Sequence, residues 1–325
     1  MRHADHAIAY ALSLGLIVNL DARGRRADSE ALARGVRRGT YIRLVPGVFA
    51  DLARWQSSSP RARFNMRFAA VASTLSPDTV FSHATAAAVL GLPLLGAAPP
   101  RLDVTVTDMR NARSSRNLAA HVAPLDKDDL VRIGGFLLTS PARTVADMAR
   151  TMPFTNAVAT ADAALHRKRK PAPLLTRDEL VAEAERNPAR RGAAKLRGVI
   201  EFATPLSDSV RESQSRCLIH LAGFPAPELQ HEWRDRLGLI GYSDFWWPAH
   251  DLIGEYDGLV KYLKEEFRRG RTEAEVVIAE KRREDRLRAL GPRVTRWLTP
   301  DLTPARLTAQ LVAAGLPLVR APRRA

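Results

Sequence analysis

Acidic residues in two adjacent strand-like segments constrain the fold of this chain more than any other feature. Residues 243–247 and 252–256 are predicted to be neighbouring strands joined by a short turn. Asp244 lies in the first strand, Glu255 in the second, and Asp257 directly after it. Buried strands favour apolar and aromatic residues, and converging carboxylates repel one another unless a cation or positive side chains compensate. The pattern therefore indicates either a Mg2+ site for phosphodiester chemistry or a hairpin whose acids face solvent.

A strong excess of basic residues sets the class of partner. The chain has 50 Lys and Arg against 35 Asp and Glu, a net charge of +15 over 325 residues. That balance favours a polyanionic partner; DNA is expected, and the charge allows RNA equally well. A chain of this length predicts two or three domains.

Cysteine usage and hydropathy favour a cytoplasmic protein without membrane attachment. The single cysteine, Cys217, excludes an internal disulfide framework and a cysteine zinc site, and it fits a reducing compartment. The apolar run 7–18 is too short to span a bilayer, and no small-residue cleavage pattern follows it. Neither a signal peptide nor a transmembrane segment is expected.

Residues 1–60 are predicted to form a winged-helix DNA-binding domain, with a helix over 30–38 and a hairpin over 41–50. Between residues 23 and 43 the chain has seven Arg against two acids. Such a helix can enter the major groove while basic residues hold phosphates, and a solvated helix without a ligand fits the same pattern. The candidate DNA contacts are Arg34, Arg37, Arg38 and Arg43.

Residues 61–170 are predicted to form a second, α/β domain. The segment 102–107 alternates with period two and is predicted to be a strand, with 118–122 and 136–139 as its partners. His83 follows a serine, but no third group completes a catalytic triad, so His83 is expected to cap a helix or to lie at the core edge.

A basic helical connector is predicted over 171–204. From 167 to 197, ten bases face four acids, beginning with the run 167–170. Nucleic-acid contact and a plain solvated helix surface explain these charges equally well.

Residues 205–325 are predicted to form a domain with the element order αβββαβ and a closing helix. The first helix covers 209–221, and a strand over 228–234 precedes the two acidic strands. A long charged helix over 272–290 and a final strand over 293–297 follow. Helices at both ends of a mixed sheet place this domain in the α/β class, and the whole chain in an α/β (α+β multidomain) class.

That element order, with those acids, resembles the restriction-endonuclease-like PD-(D/E)xK nuclease superfamily, nearest its very-short-patch-repair branch. The residues that match are Glu212, Gln230, Asp244 and Glu255. The resemblance implies that Asp244 and Glu255 hold Mg2+, with Glu212 binding it through water. The metal would polarise the scissile phosphate and generate hydroxide from a bound water.

One position departs from the superfamily pattern. The Lys that normally lies two residues after the acid of the third strand is replaced here by Asp257. Lys261, Lys264 or Lys281 could supply the missing charge from elsewhere in the chain. The departure also favours a domain that has kept the nuclease-like fold and lost its chemistry.

The two N-terminal domains resemble the AbiEi-type antitoxins of bacterial toxin–antitoxin systems. Beside the winged helix, the matching motifs are 81–87, 91–93 and 139–144. The resemblance implies operator binding, repression of the protein's own operon and a cognate toxin as partner. The sequence therefore leads to two hypotheses: a DNA endonuclease dependent on Mg2+, or a non-catalytic antitoxin-like repressor. The oligomeric state stays open.

Overall fold

The computed structural model describes residues 3–19, 29–96, 99–170, 172–186, 191–257 and 273–321. Within them, twelve helices and three sheets form an α+β multidomain fold, which confirms the predicted class. Residue contacts divide the chain into two compact units, unit 1 over Met1–Asp147 and unit 2 over Met148–Ala325. The division into four segments at 60, 170 and 204 stays a prediction. Across the described helices, none has the length and apolar character needed to cross a bilayer.

Unit 1 combines a small sheet and a five-stranded sheet with short helices. Its elements are α1 (His3–Ser13), β1 (Ile17–Val18), α2 (Ser29–Arg37), β2 (Tyr41–Val45), β3 (Val48–Asp51), α3 (Leu52–Ser57), α4 (Pro60–Ala72), β4 (Val80–Phe81), α5 (His83–Val89), β5 (Leu102–Val106), β6 (Leu118–Val122), β7 (Leu130–Ile133), β8 (Phe136–Thr139) and the first part of α6 (Pro141–Thr151). The strand orders are β1-β3-β2 and β6-β5-β4-β8-β7.

Strand pairing in the larger sheet differs in one respect from the sequence prediction. Strand β6 pairs with β5, as predicted, and the pairing is parallel. Strand β8 does not pair with β5, because the two-residue strand β4 lies between them. It pairs instead with β4 and β7. Partner choice between distant strands depends on tertiary packing, which alternation of residues does not encode.

Helix α2 packs one face closely and leaves the other exposed. Leu32 and Gly35 are its buried residues. A Cβ at Gly35 would overlap the Tyr41 ring, so the glycine lets α2 approach β2 directly. Glu30 in its first turn and Arg34 in its last turn complement the helix dipole.

A fully buried ion triad stabilises the end of unit 1. Arg143 Nη1 lies 2.7 Å from Asp129 Oδ2, and Arg143 Nε lies 3.0 Å from Asp147 Oδ2. A third nitrogen, Nη2, donates to the Pro124 carbonyl at 3.1 Å. We call Arg143, Asp129 and Asp147 the unit 1 triad. Burial of charges at such a site requires this compensation, because unpaired ions in a dry interior are very costly.

Unit 2 is built on a four-stranded mixed sheet. Its described elements after α6 are α7 (Phe154–Leu165), α8 (Arg177–Arg186), α9 (Ala193–Phe202), α10 (Val210–Ala222), β9 (Glu228–Asp235), β10 (Gly238–Trp247), β11 (Leu252–Tyr256), α11 (Glu273–Ala289), β12 (Arg293–Trp297) and α12 (Pro304–Ala313). From α10 onward they follow the predicted order. The sheet order is β12-β11-β10-β9, with β12 parallel to β11 and the other neighbours antiparallel.

Both faces of this sheet are covered. On one face, Phe245, Trp247 and Trp297 pack in a core that includes apolar side chains from α10 and α12. On the other, a second core includes residues of β10 and β11 together with Leu287 of α11. A Cβ at Gly254 would lie 2.7 Å from the Trp297 ring and 2.9 Å from the Trp247 ring. The glycine therefore makes room for two indoles against β11.

A second buried ion pair joins three helices of unit 2. Arg216 of α10 donates to Asp162 of α7 at 2.8 Å, and its guanidinium lies 4.0 Å from the Phe202 ring of α9. Asp162 also accepts the backbone N–H of Thr204 at 2.7 Å. These contacts hold α7, α9 and α10 together within unit 2.

Candidate functional site

The strand register places four polar side chains in a row across the unit 2 sheet. Phe245 pairs with Gly254, so one residue further along Asp244 lies opposite Glu255. Glu255 pairs with Arg296 on the other side. Gln230 lies opposite Asp244, between two residues of β9 that pair with β10. We call Gln230, Asp244, Glu255 and Arg296 the cross-sheet row.

Glu255 is held by two arginines. Arg283 Nη2 of α11 lies 2.5 Å from Glu255 Oε1, and Arg296 Nη2 of β12 lies 3.0 Å from Oε2. Arg296 also contacts Glu284 at 3.1 Å. We call Glu255, Arg283 and Arg296 the unit 2 triad. Both oxygens of a buried carboxylate thus have a positive partner, which compensates the loss of hydration.

Glu255 therefore faces two arginines that the sequence analysis did not name as site residues. Lys281 is exposed on α11. Lys261 and Lys264 lie outside the described residues. Asp257, where the resemblance predicts a lysine, is half-buried, and its backbone N–H donates to the Trp297 carbonyl at 2.9 Å.

Asp244 of the row and the neighbouring Glu212 each accept a backbone N–H. Asp244 Oδ2 accepts the N–H of Tyr256 at 2.9 Å, so this carboxylate bridges β10 and β11. Glu212, buried in the first turn of α10, accepts the N–H of Asp208 at 2.8 Å. Its Oε2 also accepts from Gln230 at 3.4 Å. Glu212 thus contacts the row through Gln230, whose φ of 52° lies in the left-handed region.

The strand register places Asp244 opposite Glu255, but this pairing alone does not make a metal site. Within the part of the chain that the structure describes, no group of three or more His, Cys, Asp or Glu side chains is arranged to hold a metal ion. Mg2+ needs several open oxygen ligands, whereas both Glu255 oxygens contact guanidinium groups. The described arrangement of Glu255 therefore does not fit a bound Mg2+, because these ion pairs would have to open first.

Unit 1 exposes the predicted basic surface. Arg34 and Arg37 are exposed on α2, Arg38 is exposed directly after it, and Arg43 is exposed on β2. Arg34 lies 3.4 Å from Glu30 one turn earlier, so one charge of this face is partly compensated. Several other arginines of the region 23–43 lie outside the described residues.

A buried polar cluster in unit 1 was missed by sequence reasoning. Ser82 Oγ lies 2.9 Å from Nδ1 of His83. The His83 ring stacks on the His121 ring with centroids 3.7 Å apart, and His121 Nε2 lies 2.9 Å from Asp103. His83 begins α5 and is buried, as expected for a residue at a helix start or at the core edge, and β5 and β6 place Asp103 and His121 beside it. Ser82 is fully buried, so it is not open to a substrate.

Hydrogen bonds to charged neighbours shift the pKa of one group on β9 and one on β10. Hydrogen bonds from the Arg286 guanidinium lower the pKa of Asp235 to about 2. The Tyr242 hydroxyl donates to Glu232 at 2.9 Å, and this hydrogen bond raises the pKa of Tyr242. The charge of Arg167 acts in the opposite sense on the pKa of the same phenol.

Comparison with known proteins gives relatives but no function. No protein-family model matches the chain. Two curated proteins, uncharacterized proteins from two Mycobacterium tuberculosis strains, are each 31% identical to it over 184 residues. The match covers 56% of this chain and 63% of each relative, so the chain spans less than two thirds of their length.

Proposed function

We propose that this chain is a cytoplasmic DNA-binding protein that acts as a non-catalytic, antitoxin-like transcriptional repressor. The observation that carries the DNA-binding part is the exposed arginine face of α2 and β2. Arg37, Arg38 and Arg43 are exposed there, while Leu32 and Gly35 fix the opposite face of α2 against the fold. Exposed arginines on a well-anchored helix suit contact with phosphates, and the net charge of +15 strengthens attraction to DNA.

The winged-helix interpretation assigns roles to the two elements. Helix α2 would enter the major groove, and the β2–β3 hairpin would contact the neighbouring backbone. Close packing of Gly35 on Tyr41 supports this proposal, since helix and hairpin would then meet DNA as one body. A cognate toxin belongs to the same proposal as the partner that an antitoxin-like repressor would have.

The non-catalytic part of the proposal rests on the unit 2 triad. Glu255, the acid that would anchor a metal, is neutralised by two arginines of its own chain. Asp257, at the position of the superfamily's lysine, adds negative charge where nuclease chemistry needs positive charge. Both features favour a nuclease-like domain that serves as a scaffold.

The repressor proposal is tested by binding to DNA from upstream of the protein's own coding region. We expect Arg37→Gln/Arg38→Gln to lower affinity and to reduce the slope of log K against log salt by about two, one for each lost phosphate contact. The matched control is Arg110→Gln/Arg113→Gln, which removes two exposed charges elsewhere in unit 1. Equal losses in both variants, or none in the first, would refute α2 as the contact surface.

A second candidate function, cleavage of DNA with Mg2+, is favoured by the opposition of Asp244 and Glu255. When bound, the metal would polarise a phosphate and lower the pKa of a water. The chain would have to hold it with Asp244 and Glu255 after Arg283 and Arg296 released the second carboxylate. Nicking of supercoiled plasmid in Mg2+ or Mn2+ that is abolished by Asp244→Asn would establish this function. Intact plasmid across varied DNA substrates would leave the repressor as the only candidate.

A further inference from the structure

A basic turn of unit 2 lies beside the cross-sheet row. The turn follows α7 and consists of Arg167, Lys168, Arg169 and Lys170, the run whose role the sequence left open. Its position is fixed by the loop that leads into α10. His166 Nδ1 lies 3.4 Å from the Pro205 carbonyl, and the Arg167 N–H donates to the same oxygen at 3.5 Å. Lys168 Nζ forms an ion pair with Asp208.

The same loop connects the turn to the row. Asp208, the partner of Lys168, donates its backbone N–H to Glu212 at 2.8 Å. Glu212 in turn accepts from Gln230, the first member of the row, at 3.4 Å. Three consecutive contacts therefore lead from the basic turn to the row.

The turn presents charge to solvent. Arg167 and Lys170 are exposed, and Lys168 keeps 52% of its side chain exposed despite its ion pair. Lys168 pairs with Asp208, and the exposed Arg167 and Lys170 lie on either side of it in the chain. A compact group of exposed ammonium and guanidinium charges is suited to the phosphate backbone, which such side chains contact without regard to sequence.

We propose that the basic turn is a second DNA-contact surface, which holds the phosphate backbone of DNA alongside the cross-sheet row. Unit 1 would then provide one set of phosphate contacts and unit 2 another. The inference rests on the proposed DNA binding, and it names the part of unit 2 that would hold the same polyanion. It requires no metal and no cleavage.

The test uses full-length protein and duplex DNA in a salt titration. Arg167→Gln/Lys170→Gln removes two exposed charges and keeps the ion pair of Lys168 with Asp208. We expect the slope of log K against log salt to fall by about two, so that between roughly 50 and 200 mM salt the native protein loses about tenfold more affinity than the variant. The charge-preserving variant Arg167→Lys/Lys170→Arg is expected to behave as the native protein.

The matched control comes from the same basic region of the sequence. Lys195 and Arg197 are exposed on α9, so Lys195→Gln/Arg197→Gln removes equal charge from another part of unit 2. An unchanged slope in this control and a reduced slope in Arg167→Gln/Lys170→Gln support the proposal. Equal changes in both variants would indicate a general charge effect and overturn it.

The result also separates this inference from the proposed function. If Arg37→Gln/Arg38→Gln weakens binding while Arg167→Gln/Lys170→Gln leaves affinity and slope unchanged, the basic turn is excluded and the repressor proposal stands. If the native protein binds no DNA at low salt, both proposals fail. Should loss of the turn charges weaken binding while the α2 variant has no effect, unit 2 alone would be the DNA-contact surface.

Discussion

The two units each contain a buried ion triad, and the two triads have opposite composition. The unit 1 triad has one arginine between two carboxylates, with side chains at most 3% exposed. The unit 2 triad has one carboxylate between two arginines, and those arginines are 23% and 25% exposed. Water reaches the outer members of the second triad but not of the first. We infer that the first serves stability, while the second has members that can exchange partners.

The largest expected effect comes from breaking the unit 1 triad. Arg143→Met leaves two carboxylates buried without their counter-charge, and breaking a buried pair in this way typically costs about 3–5 kcal/mol. We expect a loss of that size in the free energy of opening of β8, measured by native-state hydrogen exchange. The exposed Arg110→Met is the control. A loss below about 1 kcal/mol would contradict a structural role for the unit 1 triad.

A smaller effect is expected from breaking the unit 2 triad. In Glu255→Gln the two arginines lose their partner but can be hydrated, and Arg296 keeps its contact with Glu284. The expected loss in the free energy of opening of β11 is about 1–2 kcal/mol, by the same exchange measurement. A cost as large as that of Arg143→Met would show that both triads are structural and remove the contrast between them.

The smallest effect extends the comparison to a half-buried pair on β9 and α11. Arg286 donates to both oxygens of Asp235, and these bonds lower the pKa of Asp235 to about 2. Because the folded pKa is depressed, the pair stabilises the fold above about pH 4 and this contribution is lost as pH falls towards 2. Arg286→Gln should return the Asp235 midpoint to the ordinary aspartate range in a carboxyl NMR titration. An unmoved midpoint would mean that another group lowers this pKa.

Local patterns predicted most of the elements that carry the candidate site. The strand around Asp244 and the strand around Glu255 followed from a short apolar hairpin, and their opposition follows from its register. The N-terminal hairpin over 41–50 and the exposed arginines of α2 were equally local. These features depend on residues near one another in the chain, so sequence alone could indicate them.

The partners of these residues could not be predicted in the same way. Arg283 reaches Glu255 across 28 positions, and on the helix that carries it the sequence singled out Lys281 as the candidate site residue. His121 meets His83 because β5 and β6 are parallel neighbours of a sheet whose strand order was not encoded locally. Charge pattern alone could not link the turn at Arg167 to the loop before α10.

Gly254 fixes the register of β11 and with it the position of the Glu255 carboxylate. Two indole rings fill the volume that any larger side chain would need, so sliding β11 by one residue would drive Ile253 or Glu255 into that slot. Trp247 and Trp297, on one face of the sheet, therefore permit only this register of β11. The position of Glu255 on the opposite face follows from that packing, whatever ligand or partner it binds.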